Sequence, residues 1–136
     1  MDMTPNRPEV VEEVRILFER YEEALTGKDV GTLDLTFWDS PHTIRYALKN
    51  NCYGFAEVHA ARVAAPKVPG GGKEIRYRLE ILTLGTGFAT VNLEYKARGH
   101  DGTGRQSQTW VRFPDVGWKV VAAHVSILPK DGWSVV

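Results

Sequence analysis

The sequence has little that could cross-link it, and its charges cancel. Cys52 is the only cysteine, so the chain cannot form an internal disulfide. Seventeen basic residues balance seventeen acidic ones, which leaves no net field to draw the protein to nucleic acid or to an anionic membrane. The 136 residues are nevertheless enough to bury a hydrophobic core. We therefore expect one domain, residues 1–136, that binds no nucleic acid.

Long apolar runs are also missing. The polar start MDMTPNRPE contains no apolar signal region. No apolar run reaches the length of about 18 residues that indicates a membrane span. The simplest prediction is a cytoplasmic protein that does not associate with membranes.

Several motifs of catalysis and cofactor binding are absent as well. The histidines, His42, His59, His100 and His124, do not have the spacing of metal ligands. No glycine-rich loop leads from a strand into a helix, and neither GxSxG nor HExxH occurs. These absences argue against a metal centre, a dinucleotide site and a hydrolase triad, so we expect no cofactor. Cys52 has no basic activator near it in sequence, which favours a structural role over that of a nucleophile.

The first half of the chain predicts helices with one strand among them. Apolar residues fall at helical spacing in the first segment, which Gly27 would end. Asp29 is a suitable N-cap for a short second helix. The predicted elements are helices from Pro8 to Thr26 and from Asp29 to before Pro41, a strand from His42 to Leu48, a turn at 49–51 and a helix from Phe55 to Ala65.

The second half alternates with a period of two, which predicts strands. The segment PKVPGGGK reads as a flexible connection into them. The turns GTG, HDGTG and PDVG then separate four antiparallel strands. These strands are predicted from Lys73 onward, from Phe88 to Arg98, from Arg105 to Phe113 and from Trp118 to Leu128. Helices first and a meander last indicate an α+β fold with a pocket between the helices and one face of the sheet.

Arg45 interrupts the apolar strand in SPHTIRYALKNN. Alternation turns its side chain away from the side on which Ile44 and Tyr46 lie. An exposed position on an edge strand and a structural ion pair are two possible explanations. The third is anion binding, because a guanidinium can hold a carboxylate through two hydrogen bonds.

Tyr21 shares the apolar face of the first predicted helix with Phe18 and Leu25. Its ring should therefore be buried against the sheet, while its hydroxyl needs a hydrogen-bond partner. It is either an ordinary core tyrosine or a group that enters the same interior as Arg45.

The last three strands divide their side chains between two faces. One face carries Asn92, Glu94, Lys96, Ser107, Thr109, Val120, Ala122, His124 and Ser126, and the other carries Val91, Leu93, Tyr95, Gln106, Gln108, Trp110, Val121, Ala123 and Val125. The polar set is the better pocket lining, and we expect the other face to meet a second subunit. A one-residue bulge would exchange the two assignments. His124 taken alone could equally be a structural histidine.

The order of elements and several motifs resemble a known family. Three helices with a strand among them, then a meander ending in GWKVVAAHVS, are similar to the SnoaL-like, nuclear transport factor two-like superfamily. The runs YEEALTGKDVGTLDLTFW, IRYALKNNCYG, FATVNLEY and GRQSQTWVRF resemble its AtzH-like branch, which includes the HpxZ-type oxalurate catabolism proteins. The resemblance implies a homodimer and a cone-shaped fold, in which three N-terminal helices wrap a curved antiparallel sheet around a pocket.

The resemblance also implies a function. Members of the family are linked to the breakdown of N-carboxylated ureas in cyanuric acid or ureide catabolism, and their genes accompany amidases of the amidase-signature type. The associated reaction removes a carboxylate from 1,3-dicarboxyurea to give allophanate, without a cofactor. A small anionic substrate is therefore implied, together with a possible functional link to an amidase.

The resemblance assigns roles to residues of this chain. Tyr21 matches a tyrosine on the family's first helix and would be the general acid, while Arg45 matches an arginine on the first strand and would clamp a carboxylate. Arg62 would be a second anion contact, although Ala61 stands before it where the family commonly has phenylalanine. From the predicted polar face of the sheet, rather than from the resemblance, the residues that would orient the urea or supply water are Asn92, Glu94, Thr109 and His124.

Two other classes of function stay open from the sequence. One is a non-catalytic accessory that binds an amidase or a small carboxylate. The other is an isomerase or cyclase of the SnoaL kind, against which Arg45 argues, because those reactions usually act on uncharged polycyclic substrates.

Overall fold

The computed structural model describes residues 1–66 and 75–131. The helices are α1 (Pro8–Gly27), α2 (Val30–Thr36) and α3 (Phe55–Ala64). The strands are β1 (Ile44–Tyr46), β2 (Asn51–Tyr53), β3 (Arg76–Leu84), β4 (Phe88–Lys96), β5 (Thr103–Phe113) and β6 (Gly117–Leu128). The predicted connection PKVPGGGK lies outside the described residues except for its first proline. None of the described helices combines the length and the apolar composition needed to cross a lipid bilayer.

The ends of the first two helices follow from their capping residues. Pro8 opens α1, where its missing N–H costs no hydrogen bond. Helix α1 ends at Gly27 as predicted, and the next residue, Lys28, takes the left-handed conformation with a φ of 51°. Asp29 caps α2 as predicted, because the Thr32 backbone N–H donates to its carboxylate at 3.1 Å. The C-cap of α1 and the N-cap of α2, Lys28 and Asp29, are consecutive residues, so the two helices are joined directly.

The strands form one curved sheet in the order β2-β1-β6-β5-β4-β3. The antiparallel meander from β3 to β6 is confirmed. The sheet is mixed rather than wholly antiparallel, because β1 pairs with β6 in parallel. Strand β2, which forms a hairpin with β1, was predicted in part as a turn. Both strands of this hairpin have only three residues, too few to show a clear period of two.

The helices cover the face of the sheet that carries its large apolar residues. Phe18 from α1, Phe37 beyond α2 and Trp110 from β5 are almost fully buried in this core. Apolar burial stabilises a fold by about 25 cal/mol for each Å² removed from water, so the covered face is the one with the most apolar area. The predicted α+β cone with three N-terminal helices is confirmed.

The predicted assignment of the two sheet faces is wrong. The covered face carries Val91, Leu93, Tyr95, Gln106, Gln108, Trp110 and Ala123. The set predicted to line a pocket, Asn92, Glu94, Thr109 and His124, lies on the opposite face. A bulge also interrupts β6, because Thr109 pairs with Ala122 while Trp110 pairs with Val120, which leaves Val121 as an extra residue. Val120 therefore joins the covered face, against the predicted alternation.

Gly104 provides a test of how closely the covered face of the sheet is packed. It pairs across the sheet with Tyr95, and a Cβ added at this glycine would lie 2.3 Å from the Tyr95 ring. We expect Gly104→Ala to lower the free energy of unfolding by about 1–3 kcal/mol, because the ring must move. Urea denaturation measures this. Gly87→Ala is the matched control, since an added Cβ there meets nothing within 4 Å; equal losses in the two variants would contradict the expectation.

Candidate functional site

A cavity of about 360 Å³ lies between the helices and the covered face of the sheet. Helices α1 and α3, the β1–β2 turn and strands β4, β5 and β6 all contribute side chains to it. Its polar lining includes Tyr21, Arg45, Lys49, Arg62, Gln106 and Gln108. The volume lies in the range of small-molecule sites. The cavity therefore combines apolar walls with several donors and positive charges.

Arg62 is buried and paired with Tyr21. Its side chain comes from the last turn of α3 and is only 5% exposed. Its Nη2 donates to the Tyr21 hydroxyl oxygen at 2.7 Å. The guanidinium also lies over the rings of Tyr21 and Phe37, at 5.3 and 5.1 Å from their centroids, where the electron-rich ring faces attract a cation. Among residues 1–66 and 75–131, the buried Nε atom of Arg62 finds no hydrogen-bond partner, so this cation is only partly compensated by them.

Arg45 enters the same cavity from β1. This strand lies between β2 and β6, so Arg45 is not on a sheet edge. Burial lowers the pKa of the Arg45 guanidinium from its ordinary value, and the neighbouring Arg62 cation lowers it further, while Tyr21 and Cys52 act in the opposite direction. Within residues 1–66 and 75–131, no carboxylate pairs with Arg45 or Arg62. The explanation of Arg45 as an exposed edge residue is therefore excluded, and no structural ion pair is found for it among the described residues.

The structure brings together three of the predicted site residues, Tyr21, Arg45 and Arg62. It places the others away from the cavity, on the uncovered face. Asn92 accepts a hydrogen bond from Ser107 at 2.7 Å on that face, and Glu94 is exposed. Thr109 is half-buried there, and exposed His124 packs against the Tyr46 ring at 5.4 Å. None of these four is positioned to contact a ligand bound beside Tyr21.

Gln106 and Gln108 were grouped correctly with Trp110, but that face was not the one predicted to line the pocket, although both glutamines line the cavity. Glu22, which the sequence did not single out, is a buried carboxylate next to them, with its Oε2 at 3.5 Å from the Gln106 amide nitrogen. Burial raises the pKa of Tyr95, and nearby Glu22 raises it further. The available signal was GRQSQTW, in which both glutamines alternate with polar residues and share the phase of Trp110.

Metal binding has no support among the residues described. No three histidine, cysteine, aspartate or glutamate side chains in ranges 1–66 and 75–131 come together in a way that could hold a metal ion. Cys52 is buried, and it faces Arg45 across the β1–β2 hairpin.

The AtzH-like family model matches residues 3–131. This chain belongs to the AtzH-like family. A cystatin-like fold protein from Burkholderia xenovorans LB400 is 38% identical to it, with a TM-score of 0.86 over 93% of this chain and 98% of that one. A protein of unknown function from the DUF3225 family of Pectobacterium atrosepticum SCRI1043 is 40% identical, with a TM-score of 0.81 over 92% and 98%.

More distant structures share the fold of this AtzH-like chain. A nuclear transport factor 2-like superfamily protein from Salmonella enterica serovar Typhimurium LT2 has 20% identity and a TM-score of 0.69, over 89% of this chain and 92% of that one. At this identity the likeness concerns the fold alone. No match was found among curated proteins.

The pairing of Arg62 with Tyr21 leads to a stability prediction. Tyr21→Phe removes the acceptor of a buried cation, and we expect a loss of about 1–3 kcal/mol in the free energy of unfolding. Tyr77→Phe is the control, because Tyr77 is 57% exposed. Replacing both partners, in Tyr21→Phe with Arg62→Met, should recover part of the loss, since no unpaired cation is left buried. Equal stabilities of Tyr21→Phe and Tyr77→Phe in urea would show that the hydrogen bond does not stabilise the fold.

Proposed function

We propose that this protein is a cofactor-free enzyme that removes a carboxylate from an N-carboxylated urea, such as 1,3-dicarboxyurea. One observation carries the proposal: the guanidiniums of Arg45 and Arg62 share one cavity with the Tyr21 hydroxyl, and no carboxylate of the described chain neutralises them. Membership of the AtzH-like family supports the substrate class.

The charge of the cavity suits a dianion. Two like charges in a partly dry cavity destabilise each other, and here burial and the charge of Arg62 both lower the pKa of Arg45. A substrate with two carboxylates would neutralise both guanidiniums, and each can bind a carboxylate through two hydrogen bonds. The exposed Lys49 at the cavity adds a third positive charge that would attract an anion to the site. An uncharged polycyclic substrate would leave these charges buried without a partner.

The proposal gives Tyr21 the role of proton donor. A hydroxyl has one hydrogen to donate and lone pairs to accept, and Arg62 already donates to the Tyr21 oxygen. The hydroxyl hydrogen of Tyr21 is therefore available to a group other than Arg62. In the reaction, the bond between a urea nitrogen and the carboxylate carbon breaks, CO₂ leaves, and the nitrogen receives the Tyr21 proton. Arg62 would stabilise the phenolate until water returns the proton, and allophanate is the product.

The activity is tested with freshly generated 1,3-dicarboxyurea, by following CO₂ and allophanate. We expect Tyr21→Phe to lower kcat by about a hundredfold or more, because the proton donor is lost. Arg45→Ala should mainly raise KM, because one carboxylate loses its clamp. The control variants are Asn92→Ala and His124→Ala on the uncovered face, which should retain wild-type kinetics.

Two outcomes would overturn the proposal. If Tyr21→Phe and Arg45→Ala both turn over the substrate at the wild-type rate, the reaction does not depend on these two residues. Binding of the substrate with no turnover, together with co-purification of an amidase, would favour a non-catalytic accessory.

The homodimer implied by the resemblance stays a prediction. The uncovered face of the sheet exposes apolar side chains, Ile44, Tyr53 and Leu82 among them, which would suit contact with a second copy. Sedimentation of the purified protein would test it.

A further inference from the structure

Trp110 fixes the orientation of the Gln108 side chain. The indole nitrogen of Trp110 is 3.0 Å from the Gln108 amide oxygen. An indole N–H can only donate, so the oxygen end of the amide must point toward Trp110 and the NH₂ end must point away. Both residues are almost fully buried, at 1% and 2% exposure, which keeps this arrangement in a dry environment where a hydrogen bond is strong.

The NH₂ end of Gln108 is the part of the amide left for a ligand. Gln108 lines the cavity, and the hydrogen bond from Trp110 is the one contact found for its amide within the described ranges. The Gln108 amide nitrogen therefore has no partner among the described residues, yet it is not one of the fully buried polar atoms, so it is open to the cavity. A neutral donor of two N–H groups, held in one orientation, is therefore presented to the cavity.

Gln108 lies across a small residue from Arg45. The two belong to one inward-facing row, in which Arg45 of β1 pairs with Ala123 of β6 and Ala123 pairs with Gln108 of β5. Two strand spacings separate β1 from β5, a backbone distance of about 9.5 Å. The short side chain of Ala123 leaves open space between the Arg45 guanidinium and the Gln108 amide. Arg62 reaches the same cavity from α3. All three groups line the same cavity.

We propose that Gln108 donates a hydrogen bond to the central carbonyl oxygen of a ligand whose two carboxylates are bound by Arg45 and Arg62, and that Trp110 positions Gln108 for this contact. The proposal deepens the function proposed above and rests on it for the class of substrate. Charge decides the assignment, because carboxylates pair best with guanidiniums while a neutral amide donor suits a neutral carbonyl. A site with an oriented donor disfavours analogues that lack the acceptor.

Two ligands, acetonedicarboxylate in freshly prepared solution and glutarate, separate this contact from the charge interactions. Acetonedicarboxylate replaces each urea nitrogen of dicarboxyurea with carbon and keeps the central carbonyl, whereas glutarate lacks that oxygen. We expect wild-type protein to bind acetonedicarboxylate about tenfold more tightly than glutarate by calorimetry. Equal affinities, tighter binding of glutarate, or no binding of either ligand would overturn the proposal.

Substitutions at Gln108 and Trp110 test whether these residues cause the preference for acetonedicarboxylate over glutarate. Gln108→Met removes the donor at similar volume, so acetonedicarboxylate should fall to the affinity of glutarate while glutarate binding stays unchanged. Trp110→Phe frees the amide to turn and should reduce the preference in part. Asn92→Leu is the control, because it removes an exposed amide from the uncovered face, and it should keep the full preference. A Gln108→Met or Trp110→Phe protein that folds and keeps the wild-type ratio would contradict the assignment.

The two proposals fail separately. Turnover of dicarboxyurea without any preference between the two ligands would remove the role of Gln108 and leave the enzymatic function standing. A preference that depends on Gln108, without turnover, would remove the enzymatic function and retain the recognition of a dicarboxylate with a central carbonyl.

Discussion

The burial of the Arg62 guanidinium constrains the rest of the cavity. A buried cation costs several kcal/mol unless other groups compensate it, and here the compensation comes from the Tyr21 hydroxyl and two aromatic rings rather than from a carboxylate. Arg45 adds a second cation to the same space, and its lowered pKa reflects burial and the charge of Arg62. An anionic ligand would supply the missing negative charge, and this is the basis of the function proposed above.

The sheet supplies the geometry that this charge arrangement needs. The parallel pairing of β1 with β6 brings Arg45 beside the meander, one small residue away from Gln108. Helix α3, which the β1–β2 hairpin precedes, carries Arg62 over the same region. The polar side chains that seemed best suited to a pocket lie outside it, because the helices bury the more apolar face and accept two glutamines within it. Both glutamines have hydrogen-bond partners there, as buried amides require.

Much of the fold was predictable from local patterns. The helix of α1 follows from its apolar spacing, the cap of α2 from Asp29, and the four-stranded meander from alternation and turn residues. The hairpin strand β2 was missed because three residues carry too little periodicity. Tyr21 and Arg45 were identified correctly as cavity residues, since each combines a polar group with an apolar setting along the chain. Asn92 and Glu94 were wrongly predicted to line the cavity. Alternation divides the strand residues between two faces but does not show which face the helices cover.

The sequence by itself determined the order of the three helices and of the four-stranded meander, the family and the inward direction of Arg45, because these depend on local periodicity and motif content. Only the tertiary structure decided which sheet face forms the cavity, where β6 bulges at Val121, and which group meets the Tyr21 hydroxyl. That last contact joins residues 41 positions apart. Such long-range contacts depend on how the helices pack on the sheet to bury apolar surface. No single segment of the sequence determines that packing.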